Sequence, residues 1–133
     1  MGFDQYHEPP EELPAPARTY ARLITSLTEE AEAIGWYQQR LAVEPDAVAA
    51  AIMRDAMGEE FKHFSMDLEF LLRRTPIWRE IASGILFSEG DIVAHGEESE
   101  EEATEESEGG AAAAGSAAAP GSLGIGGLRG LAR

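Results

Sequence analysis

Residues 45–74 read PDAVAAAIMRDAMGEEFKHFSMDLEFLLRR, and their spacing decides the fold. Pro45 suits the first turn of a helix, with Asp46 favourable at its positive end. Arg73 and Arg74 suit the negative end, just ahead of the Thr75-Pro76 stop. Ala49, Met53, Ala56, Glu60, His63, Asp67 and Phe70 follow one another by alternating steps of four and three, which places them on one seam. Three successive positions of that seam are titratable, and a charge in a core is costly unless it is paired, hydrogen-bonded or bound to metal. Ile52, Met57, Phe61, Phe64, Met66, Leu68, Leu71 and Leu72 spread the apolar surface well beyond one stripe, so this helix must be buried on several sides.

An earlier helix begins near Pro14 to Pro16 and breaks at Ala42 to Glu44. Its seam is Leu23, Leu27, Glu30, Ile34, Tyr37 and Leu41, apolar or aromatic except for Glu30. Thirteen residues separate Glu30 from position 43 and seventeen separate position 43 from Glu60, so an antiparallel hairpin brings the two carboxylates to similar heights. A shorter third helix over residues 76–87 offers Ile77, Trp78, Ile81, Ile85 and Leu86, and no stretch alternates like a strand. The expected fold is all-α: an antiparallel two-helix hairpin plus a short third helix. Two long helices cannot cover so much apolar surface alone, so a second copy is expected to.

Glu30 on one helix, with Glu60 and His63 three residues apart on the next, amounts to half of a site that elsewhere uses a Glu from each of two helices and a Glu-x-x-His from each of two more. Carboxylate oxygen and imidazole nitrogen without sulfur suit Fe(II), Mn(II) or Zn(II). In a two-fold dimer, four carboxylates would balance two divalent ions. Trp36 and Tyr37 either line such a site or, as is commoner, pack in the core, and Asp67 is either a support for His63 from one turn away or an exposed charge. Glu29 and Glu32 flank Glu30 on adjacent faces, where they either guide cations inward or, as is commoner, form a solvated helical face. Two other readings are a non-catalytic metal-bridged helical scaffold, with Zn(II) as a fitting ion, and an adaptor that only carries its C-terminal tail.

The 133 residues include no cysteine, which excludes disulfides and thiolate metal sites, and the net charge of −15 argues against a nucleic-acid partner. No stretch has the apolar length of a membrane span, and the N-terminus lacks a leader pattern; a cytoplasmic protein is the expectation. Residues 97–108, EESEEEATEESE, hold eight glutamates and no base. Order is expected to fade beyond Asp91, because that run self-repels and the Ala/Gly segment after it is a weak lone helix. The chain then divides into a helical domain over 1–95, an acidic and Ala/Gly-rich flexible linker over 96–120, and a terminal segment over 121–133. In that last segment Leu123, Ile125 and Leu128 reappear among glycines, as in a short motif that docks in a partner's groove.

The string EEAEAIGWYQQR from Glu29 to Arg40, Arg54-Asp55 with Glu59-Glu60-Phe61-Lys62-His63, and the terminal GSLGIGGL together resemble the encapsulated ferritins. The resemblance covers residues 7–95 and the last dozen. It implies a protomer whose dimer recreates a ferritin-like four-helix bundle, with a di-iron ferroxidase centre at the interface holding two irons per dimer. It further implies a decameric ring that oxidises iron as cargo of an encapsulin nanocompartment, directed there by residues 121–133. By motif, Glu30, Glu60 and His63 correspond to the iron ligands, and Glu29 and Glu32 with Trp36 to an acidic uptake site for calcium or another divalent ion. Gly35 stands where an acidic residue is expected before the Trp, which alters the charge of that uptake region.

Overall fold

A computed structural model describes residues 5–113, all of whose regular structure is helical. After a short 3-10 turn at Pro10–Glu12 come α1 (Ala15–Val43), α2 (Ala47–Arg74), α3 (Pro76–Ile85) and α4 (Ile92–Ala113). α1 packs along α2, α3 packs along α4, and α3 meets α2 at the corner between these two hairpins.

The connections follow from local chemistry. α1 ends where Glu44 turns extended ahead of Pro45. Asp46 caps α2: its Oδ1 accepts from the backbone N–H groups of Val48 and Ala49, both at 2.9 Å, a cap worth about 1 kcal/mol. Pro45, expected in the first turn of α2, therefore stands before the cap. The double acceptance holds Asp46 extended, and the Glu44 side chain takes the Asp46 N–H at 2.9 Å. At the other end Thr75 leaves helical geometry before Pro76, which opens α3. Glu69 accepts from Arg73 at 2.9 Å and Arg79 at 3.1 Å, and Tyr20 and Thr75 hydroxyls lie 2.9 Å apart, so α1, α2 and α3 are tied together at this corner.

The acidic run expected as a flexible linker is helical as far as Ala113. Asp91 caps α4 by accepting from Val93 and Ala94 N–H at 2.9 and 3.0 Å. The glutamates point to solvent, while Ser99 and Ala103 are buried against α3. That docking supplies what a lone acidic helix lacks, since each like-charged pair three or four residues apart costs about 0.2–0.5 kcal/mol. The contact depends on Gly84, where an added Cβ would come within 2.8 Å of Ser99 Cβ. Gly35 and Gly58 have open space beside them, so neither is required for a close helix approach within the chain.

Fully or nearly buried apolar side chains among the described residues are few: Ala50, Leu71, Leu72 and Ala103. Val48, Ile52, Phe61 and Met66 on α2 remain largely exposed, Ile52 at 66 %. The protomer leaves uncovered the multi-sided apolar surface that its sequence announces.

Gly84→Ala is expected to weaken the α3–α4 contact by about 1–3 kcal/mol through overpacking. Amide hydrogen exchange should show faster exchange in α4 with α1 and α2 unaffected, and Ser99→Gly should recover part of the loss.

Candidate metal centre

Glu30 reaches the inner seam from the middle of α1, and Glu60 and His63 reach it from α2. Candidate ligand atoms of all three lie within 4.8 Å of one another, and among the described residues no other His, Asp and Glu side chains converge in this way. The His63 Nδ1 to Glu60 Oε2 distance is 3.7 Å, with the His63 side chain 46 % and the Glu60 side chain 22 % exposed. The cluster is open on one side.

Two carboxylates meeting without a cation disfavour double ionisation. The Glu30 carboxyl is pushed up to about 7 from 4.5, first by the proton it shares in hydrogen bonding with Glu60, then by burial and by the Glu60 charge. His63 opposes the shift, and Asp67 adds to it from farther along α2. The donor set fits a divalent ion: two oxygens and one nitrogen, close together, facing an open side, with a mutual repulsion that a cation would cancel.

The other sequence candidates lie outside the cluster. Glu29 and Glu32 are exposed on neighbouring faces of α1, and Trp36 is 51 % exposed. Tyr37 sits half-buried on the Glu30 seam with the Arg40 guanidinium 5.4 Å from its ring centroid, and its hydroxyl makes no hydrogen bond among the described residues. Asp67, read as support for His63, also bears electrostatically on Glu30 across the hairpin. Its place on the shared seam was the available signal for that second role. His95 bonds the Glu89 carbonyl at 2.8 Å in the α3–α4 turn.

An all-α hairpin carrying a carboxylate–histidine cluster on its inner seam is the class that this fold and geometry define. The chain belongs to the EncFtn-like family, whose model matches residues 5–89. It is 41 % identical to an encapsulated ferritin-like protein of Rhodospirillum rubrum, over 95 % of this chain and 89 % of that one. It is also 40 % identical to a ferritin-like protein of Thermotoga maritima, over 72 % of this chain and 84 % of that one. Among solved structures, protein ne0167 from Nitrosomonas europaea superposes with a TM-score of 0.65 at 36 % identity, covering 67 % of this chain and 98 % of its own.

The raised Glu30 value sets a pH dependence for the metal-free protein. Below pH 4.5 folded and unfolded chains both hold the proton; between 4.5 and 7 only the folded chain does, so stability falls across that window and stays low above it. The loss is expected to be about 1–3 kcal/mol, measured by denaturant unfolding in chelator, and Glu30→Gln should flatten the profile.

Proposed function

We propose that the protein is a ferroxidase, oxidising Fe(II) to Fe(III) with O2 at a di-iron centre shared by two copies of the chain. The observation that carries this reading is the convergence of Glu30, Glu60 and His63 into half of a helical di-metal site. A ferritin-like, iron-handling role agrees with the names of the two relatives. The exposed apolar side of α2 and the open side of the cluster support completion of both core and site by a second chain.

Four glutamates, two from each copy, would neutralise two Fe(II) ions as they bind, and the two His63 imidazoles would add neutral nitrogen ligands. Two Fe(II) ions held side by side would supply one electron each, which with two protons from solvent would take one O2 to the level of hydrogen peroxide. Glu29 and Glu32, with Trp36 beside them, form the acidic approach on α1, for iron and for calcium or another divalent ion in transit. Tyr37 lies on the same seam two turns beyond Glu30.

The name of the R. rubrum relative supports association with an encapsulin shell, and the similarity to it spans nearly the whole chain. In this reading dimers assemble further, into a decameric ring, and the oxidised iron is delivered for mineral storage inside the nanocompartment, in the cytoplasm. Residues 121–133, which lie outside the described residues, are proposed as the segment that shell subunits recognise. No helix among the described residues is long and apolar enough to cross a membrane.

Glu60→Ala and His63→Ala should each reduce O2-dependent Fe(II) oxidation at least about a hundredfold, followed by absorbance of Fe(III) together with O2 uptake. Metal binding with no O2 consumption in the unaltered protein would instead make the cluster a structural bridge. Deleting residues 121–133 should leave oxidation intact and abolish co-purification with the shell protein.

A further inference from the structure

Asp67 follows His63 by one turn on the inner seam of α2 and is half-buried there. The Lys and Arg side chains nearest to it in sequence are engaged elsewhere: Lys62 with Glu59, Arg73 and Arg79 with Glu69, and Arg74 over the Phe70 ring. Among the described residues Asp67 itself enters no ion pair and no hydrogen bond. The seam beside it is Phe70 on one side and His63 on the other, so it lies beside the metal cluster with no counterion of its own. A partly buried carboxylate in that position is unfavourable without a cation nearby.

The charge count of the shared centre gives such a group a purpose. Two glutamates per chain match two divalent ions, and two trivalent ions carry two positive charges more. Two copies of Asp67, one from each chain, carry two negative charges. Resting on the shared-centre reading above, we propose that Asp67 is the counter-charge that biases this centre towards trivalent over divalent ions. It acts through its field from about 6 Å, the spacing of residues four apart on a helix, and not as a ligand. Coulomb attraction scales with the charge of the ion, so a fixed carboxylate attracts a trivalent ion half again as strongly as a divalent one. Asp67 is on this account a specificity-determining residue, and retention of the oxidised product is the property it tunes.

Redox-inert ions isolate this effect from turnover. Ga(III) and Zn(II), both supplied as nitrilotriacetate complexes, are titrated calorimetrically into the full-length protein, its Asp67→Asn variant and its Asp67→Glu variant. The Asn variant should lose affinity for both ions, with the Ga(III)-to-Zn(II) affinity ratio falling about tenfold or more. The Glu variant, which keeps the charge, should hold the ratio within about threefold of the parent. An unchanged ratio in Asp67→Asn, or an equal fall in the Asn and Glu variants, would overturn the counter-charge role. If the parent protein bound neither ion, it is the metal centre itself that would fail. Circular dichroism of each variant separates loss of fold from loss of preference.

Discussion

The contact between the Glu30 and Glu60 carboxyls is the constraint on which the rest depends. Two acids on facing helices, part-buried and a few ångström apart, repel unless a proton or a metal ion lies between them. A hairpin built only for stability would put Leu or Ile at both positions. Instead α1 and α2 hold the two acids between them, and their contact raises the Glu30 pKa, so that a bound cation would displace a proton. His63 adds a ring nitrogen to the pair at the spacing that a helix face requires.

The same helices leave the hydrophobic core of a single chain uncovered. α2 carries apolar side chains around most of its circumference, yet α1 covers one side of it and α3 touches it only near the corner at Thr75. The exposed apolar surface and the open side of the carboxylate cluster belong to one structural problem, and one event, association with a second copy, would resolve both. Hydrophobic burial would then hold the assembly together while metal neutralises the acids at its centre.

Much of this was legible in the residues. The three-and-four spacing of α1 and α2, with Glu30, Glu60 and His63 as exceptions on otherwise apolar seams, fixed the hairpin and the side chains that meet inside it. Pro14, Pro45 and Pro76 placed the ends of the helices, although the capping hydrogen bonds of Asp46 moved Pro45 outside α2. What sequence patterning missed was α4. Eight glutamates in twelve residues read as self-repelling chain, because the stabilising term is a tertiary contact: Ser99 and Ala103 against the bare backbone at Gly84, begun by an Asp91 cap. Small residues give no periodic apolar signal, so such docking leaves little trace in a hydropathy pattern. Asp67 was visible on its seam, but its effect on Glu30 depends on how the two helices face each other.

Each chain is proposed to hold half of a metal centre. Native mass spectrometry of the Fe(II)-loaded protein under anaerobic conditions, with the metal counted in each intact assembly, tests it most directly. Even-numbered assemblies carrying one iron per chain, with monomers carrying none, are the expected result. Monomers that retain iron stoichiometrically, or assemblies with two ions held by each chain, would contradict it.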